Sequence, residues 1–129
     1  MKIKGTVTSG KGNGRNYLLE EEYLQQCKRK LGFIPYPGTL NIKIDERDMK
    51  KFSKLKQGHA IILHGFKKNS KVFGSVKCFR AMLMGKDVVI VVPEKSFYTD
   101  IMEIISDKNL RNELSLKDGD CVEVNIKNA

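Results

Sequence analysis

The sequence predicts a mainly β fold, a small closed barrel with a few short helices. Three features lead there: apolar and polar residues alternate with a period of two through much of the chain, turn-forming residues recur at short intervals, and few stretches repeat at helical spacing. Many short strands with few helices favour closure, because a closed barrel leaves no exposed sheet edge. A length of 129 residues suits one domain over 1–129 with a single core.

In "KIKGTVTS" (residues 2–9), Ile3, Gly5 and Val7 alternate with Lys2, Lys4 and Thr6, the pattern of a half-buried strand. Glycines at 10, 12 and 14 end it, and a short extended piece near 15–18 follows. "EEEYLQQCKRKLGF" (20–33) then sets Tyr23, Leu24, Cys27 and Leu31 at helical spacing, with acids first, bases last and Gly32 as terminator, which makes one amphipathic helix. The prolines of "IPYPGTLNIKID" (34–45) force extended backbone, after which Leu40, Ile42 and Ile44 take one face of a strand and Thr39, Asn41 and Lys43 the other.

From Gly58 onward, "HAIILHGF", "KVFGSVKCF", "AMLMG" and "DVVIVVP" are separated by turns such as "KKNS" and "GKD", and read as hairpins in which Val72 and Val76 are buried. A second helical patch is expected in "TDIMEII" (99–105) and a third, shorter one in "NLRNEL" (109–114). The turn "KDGD" precedes a closing strand whose Val122, Val124 and Ile126 point one way. No internal repeat or linker interrupts the chain.

Composition narrows the function classes. Hydrophobic residues at 40% and charged residues at 30% are those of a folded, soluble chain. The longest apolar runs are too short to span a bilayer as a helix and the N-terminus lacks a signal-peptide core, so a cytoplasmic location without membrane association is expected. Three cysteines (27, 78 and 121), without CxxC or Cys/His spacing, read as free thiols, and His59 and His64 as ordinary surface or strand-end histidines. The net charge of +9, from 24 basic against 15 acidic residues, attracts polyanions such as nucleic acids, anionic membranes and nucleotides, or forms a solvated lysine surface.

Several signature motifs are incomplete. "KVFGSVKCF" has Val72 and Ser75 where an RNA-recognition strand needs glycine and an aromatic residue. "GKGNGR" lacks both the GK[ST] of a P-loop and the βαβ setting of a dinucleotide fold. Alternate glycines still let successive N–H groups converge on an anion, with Lys11 and Arg15 beside them, and a glycine-rich turn with solvated bases fits the same residues.

"GTVTSGKGNGRNY", "GFIPYPGTLNIKI", "VVPEKS", "MEII" and "NLRNELSLKDGDCVEV" stand in the order and spacing of the archaeal CTP-dependent riboflavin kinases, which the chain resembles over nearly its whole length. The resemblance implies a six-stranded cradle-loop β-barrel and a phosphotransferase. Its reaction moves the terminal phosphoryl group of CTP to the 5′-hydroxyl of riboflavin, giving FMN and CDP with Mg²⁺. It assigns the nucleotide phosphates to Gly10, Lys11, Gly12, Asn13, Gly14 and Arg15, and the cytosine to Lys108, Asn109, Leu110 and Arg111. Backbone N–H and C=O groups of that last segment can tell cytosine from uracil, whose donors and acceptors are reversed.

The resemblance further assigns the metal to Thr39 and Asn41, which leave one strand face about 7 Å apart along the strand and both carry hard oxygen. Both are neutral, so metal binding would depend on the charge of bound CTP. Read without the family, the pair caps a turn after Gly38. Flavin contacts fall to Ser96, where the family pattern has threonine, and to Glu103, which orients the 5′-hydroxyl as the candidate catalytic residue. Without the family, Glu103 is a solvated helix residue, Leu110 a core residue and Arg111 a surface one. Some family members carry an N-terminal DNA-binding winged helix; the chain is expected to begin directly at the barrel. Nucleic acid is not expected as a partner and no protein partner is implied. The alternative class is a nucleic-acid-binding barrel related to the swapped-hairpin transcription factors, which suits the positive charge and the "DGD" turn.

Overall fold

The computed structural model describes residues 1–9, 18–94 and 100–127. In chain order the elements are β1 (Lys2–Thr8), α1 (Glu21–Lys30), β2 (Leu40–Ile44), a 3-10 turn (Glu46–Asp48), α2 (Met49–Lys56), β3 (Ile61–Leu63), β4 (Phe66–Lys68), β5 (Lys71–Phe73), β6 (Val76–Leu83), β7 (Lys86–Pro93), β8 (Ile101–Ile105), α3 (Leu110–Glu113) and β9 (Cys121–Ile126). Strands pair antiparallel in the order β6-β7-β8-β2-β1-β9, and Ala81–Leu83 of β6 pairs with β9 to close a six-stranded barrel. The mainly β class and the six-strand closure expected from the sequence are therefore observed. None of the described helices is long and apolar enough to cross a membrane.

Period-two burial sorts the side chains into two layers. Ile3 and Val7, Leu40, Ile42 and Ile44, Phe79 and Ala81, Val88 and Ile90, and Val122, Val124 and Ile126 fill the interior. Val76, Cys78, Val89, Val91 and Ile105 point outward and are covered by Leu18 and by Tyr23, Cys27 and Leu31 of the α1 region. Strand β7 is thus buried on both faces, which is why "DVVIVVP" is an unbroken apolar run. Gln26 fixes α1 by donating to the His64 carbonyl at 2.9 Å and accepting from the His64 amide at 2.6 Å. Arg80 satisfies the carbonyls of Lys30 and Leu31 at the end of the same helix.

Two helices plug the barrel. In α2, Phe52 and Leu55 join the interior, and Lys51 donates to the carbonyl of Lys2, the first residue of β1. Leu110 of α3 joins the same interior, while Arg111 donates to the carbonyl of Thr8, the last residue of β1. The plugs therefore sit at opposite ends.

Three readings of the sequence are corrected and one element is added. The stretch 99–105 forms no helix among its described residues: β8 pairs Met102 with Ile42 and Val91 with Glu103, because Met102 and Ile104 fill the barrel at period two. The pattern 101, 102, 104, 105 satisfies both periodicities, and two flanking strands select the extended one. Helix α2 adds to the expected elements, since among its mostly basic residues only Met49, Phe52 and Leu55 pack against the core. Val72 is 65% exposed, because the extended stretch is interrupted between β5 and β6 and the β4–β5 hairpin forms a separate sheet. The β6–β7 turn lies at Met84 and Gly85, both at positive φ, one residue ahead of the expected "GKD".

The cysteines are free, as expected. Burial pushes the Cys27 thiol up to about 11 and the Cys78 thiol up to about 12, so neither is a nucleophilic thiolate at neutral pH.

Gly5 is required by close approach. A Cβ there would stand 2.4 Å from Ile42 Cγ2 and 2.5 Å from the Lys43 carbonyl oxygen, and the carbonyl cannot yield without breaking the β1–β2 ladder. Gly5→Ala is expected to cost about 2 kcal/mol, read as a fall of about 8 °C in the circular-dichroism melting midpoint. An unchanged midpoint would refute this account of the β1–β2 contact.

Candidate active site at the barrel rim

The site is built where β1 ends and β2 begins. Gly38, at φ +109°, turns the chain out of the "PYP" segment into β2. That segment is tied to the chain after β8: the Tyr36 amide donates to the Ser106 carbonyl at 2.8 Å, and Asn109 Nδ2 donates to the Tyr36 hydroxyl at 3.3 Å. Asn109 also caps α3, its Oδ1 accepting from the Asn112 amide at 3.2 Å.

Thr39 and Asn41 leave the strand on the face opposite Leu40 and Ile42. Asn41 is only 4% exposed, so its amide needs partners; Thr39 Oγ1 donates to its Oδ1 at 3.0 Å. Strand register sets Asn41 between Thr8 of β1 and Glu103 of β8. Directly paired residues face the same way, so Thr8, Asn41 and Glu103 form one polar row on the outer wall just below the rim.

Beside this row, a cleft of about 140 Å³ is lined by Tyr36, Gly38, Thr39, Ser106, Asn109 and Arg111, among others. Lys108 and Leu110 also line it. Thr39 and the 108–111 segment, separated by some seventy positions in the chain, thus share one recess. The Leu110 side chain belongs to the barrel core, so what position 110 offers a ligand is backbone. Arg111 is not a free surface arginine: its Nη2 donates to Asp118 Oδ1 at 2.6 Å and to the Thr8 carbonyl at 3.2 Å.

Thr39, Asn41, Glu103, Lys108, Asn109 and Arg111 are therefore brought to one end of the barrel. Gly10, Lys11, Gly12, Asn13, Gly14, Arg15 and Ser96 lie outside the described residues. Sequence reasoning gave no role to Tyr36, Ser9 or Asp118. Tyr36 stood inside the quoted "PYPG" and Asp118 inside "KDGD", but neither residue type signals a site until its distant partners are known.

The donors at 39 and 41 suit a small hard cation. Thr39 Oγ1 and Asn41 Oδ1, joined by their 3.0 Å hydrogen bond, are hard neutral oxygens of the kind magnesium takes. Among the described residues no group of three or more His, Cys, Asp or Glu side chains could hold a metal. A cation here would take neutral protein oxygens and draw its charge balance from an anionic ligand.

The Ser9 hydroxyl and Arg111 hold the Asp118 carboxyl below the ordinary aspartate range, with the Ser9 hydrogen bond the larger cause. A depressed carboxyl stabilises the fold above its unfolded value and loses that contribution as pH falls through the folded one. The Asp118 contacts should accordingly persist from neutrality down to about pH 4 and be lost below it. An NMR titration of the Asp118 carboxyl carbon checks this: a midpoint at or above about 3.9 contradicts the geometry.

Fold and site together define a six-stranded β-barrel whose polar recess, with paired neutral oxygens, opens at one rim. A family model labelled CTP-dep_RFKase, and described as a domain of unknown function (DUF120), matches residues 7–126. The riboflavin kinase of Thermoplasma acidophilum is 47% identical over 124 residues, covering 96% of this chain and 56% of that protein. The riboflavin kinase of Archaeoglobus fulgidus is 44% identical over 127 residues, covering 98% and 54%. That of Ignicoccus hospitalis is 46% identical over 125 residues, covering 96% and 70%. The chain spans little more than half the length of the first two. It belongs to the CTP-dependent riboflavin kinase family.

Proposed function

We propose that the chain transfers the terminal phosphoryl group of CTP to the 5′-hydroxyl of riboflavin, producing FMN and CDP, with Mg²⁺ at Thr39 and Asn41. The observation that carries this reading is the polar row at the rim, with two neutral oxygens 3.0 Å apart and Glu103 opposite Asn41 across the β2–β8 ladder. The relatives' shared name, riboflavin kinase, supplies the substrate class.

In this reading the glycine loop, Gly10 to Arg15, holds the triphosphate by converging N–H groups and the charges of Lys11 and Arg15. The backbone of 108–111, held in place by the Tyr36 and Asn109 contacts, reads the cytosine edge. Ser96 and Glu103 bind the flavin, and the Glu103 carboxylate accepts a hydrogen bond from the ribityl 5′-hydroxyl, turning its oxygen toward the phosphorus. The new bond joins that oxygen to the γ-phosphorus. The bond from the γ-phosphorus to the bridging oxygen breaks, CDP leaves with the electron pair, and the hydroxyl proton passes to Glu103 or to water. Phosphoryl transfer has a loose transition state in most analyses, so alignment outweighs base strength. Magnesium, when bound, neutralises phosphate charge.

The test is incubation of the protein with riboflavin, Mg²⁺ and either CTP or ATP, followed by chromatography of the flavins. FMN formed with CTP and abolished by a chelator is the expected result. Lack of FMN with every triphosphate, together with DNA affinity that falls steeply with salt, would replace this reading by the nucleic-acid-binding barrel. Glu103→Gln should lower kcat by about tenfold to a hundredfold if the carboxylate aligns the hydroxyl, and full turnover would remove Glu103 from that role. Asn41→Leu, which keeps the volume and removes the oxygen, should lower turnover by about a hundredfold and raise the magnesium requirement.

A further inference from the structure

Asp118 lies in the turn before β9, and the turn does not depend on its side chain. Backbone bonds of 2.8 Å run from the Val7 amide to the Asp120 carbonyl and from the Gly119 amide to the Val7 carbonyl. The Asp120 carboxylate closes the turn from within, accepting from the Lys117 amide at 2.9 Å, and Gly119 supplies the positive φ. Turn and β1 are therefore joined by main chain.

The Asp118 carboxylate is directed elsewhere. It accepts from the Ser9 hydroxyl and, at 2.6 Å, from Arg111 Nη2, which also donates to the Thr8 carbonyl at 3.2 Å. Thr8 and Ser9 immediately precede the glycine loop, and Arg111 is the last residue of the segment assigned to the base. One carboxylate thus contacts the root of the phosphate loop and the base-reading helix together. Arg111 and Asp118 are near in the chain, but connectivity does not impose the contact with Ser9, which lies 109 positions from Asp118.

We infer that Asp118 is a positioning residue that couples the base-reading segment 108–111 to the root of the glycine loop, so that recognition of cytosine and grip on the triphosphate reinforce each other. The inference rests on the kinase reading above. It deepens that reading by naming a residue that serves CTP and not riboflavin. A shift of Arg111 on base binding would alter the hydrogen bonding of the carboxylate that also holds Ser9, and a shift of Ser9 would act on Arg111 by the same route. Such coupling is reciprocal between the two halves of the ligand.

Asp118→Asn keeps the shape and removes the charge. It should raise the KM for CTP by about fivefold and narrow the preference for CTP over UTP, while kcat and the KM for riboflavin stay within about twofold, because a charge-assisted bond at a half-exposed position is lost and the chemical site is untouched. Asp118→Glu should restore part of the CTP affinity. Ser9→Ala combined with Asp118→Asn should be no worse than Asp118→Asn alone, since both remove contacts of one carboxylate. An unchanged KM for CTP in Asp118→Asn overturns the coupling, as does an equal rise in both substrates' KM, which is the mark of general loosening. Amide spectra of the ligand-free proteins keep the two failures apart. If the signals of Ser9 and of residues 110–113 do not move in Asp118→Asn, the tie is absent even in an active enzyme. If wild-type protein makes no FMN, the kinase reading fails and takes the coupling with it, whatever the amides show.

Discussion

The structure depends on how β6 divides its second edge. One edge pairs with β7 along the whole strand, whereas the other serves β3 at Val76–Cys78 and β9 at Ala81–Leu83. The second of these pairings closes the barrel. Without it β9 would be an edge strand and Ala81–Leu83 of β6 would be left with unpaired backbone groups, with the apolar interior open on one side. Closure in turn creates two open ends, each needing an apolar plug, and α2 and α3 supply them with Phe52, Leu55 and Leu110. Covering the outer face of β6 and β7 falls to α1.

That arrangement sets where the polar row stands. The interior is filled and α1 covers much of the outer wall of β6 and β7, while the row and its cleft lie at the rim around α3 and on the outer wall of β1, β2 and β8. Asn41 is the informative residue on that wall. A nearly buried amide on a strand is costly unless partnered, and its partner is Thr39, two positions earlier on the same face. The β1–β2 and β2–β8 registers then bring Thr8 and Glu103 level with it. A slip of one residue in either ladder would turn Asn41 or its neighbours inward, so the closure that forms the barrel also sets the site.

Among the described residues the positive charge is not concentrated there. Lys50, Lys51, Lys54 and Lys56 belong to α2, at the end of the barrel opposite the rim site. At the rim itself, Arg111 is held by the Asp118 carboxylate. In the proposed reading, anion binding at this site would draw on directed backbone groups and a few placed cations more than on the net charge of +9.

Much of this was legible in the chain, for local reasons. Strands β1, β2 and β9 were readable because each sets apolar residues on one face and mostly polar ones on the other, so alternation survives in the sequence; α1 was readable because charge at its ends and apolar spacing agree. The pair Thr39 and Asn41 could be placed on one face from their separation of two. Where both faces are buried or a segment is held mainly by distant neighbours, the local signal fails. Residues 101–105 fit either period until β2 and β7 flank them, α2 shows only three apolar residues among its bases, and Val72 looks like core until the hairpin stands apart. The sequence by itself determined the class of fold, the strand faces and the motifs of the family. Only the tertiary structure decided which of those motifs meet, because contacts such as Arg111 with Thr8, Asn109 with Tyr36 and Asp118 with Ser9 join segments that chain spacing leaves independent and barrel closure brings within hydrogen-bond reach.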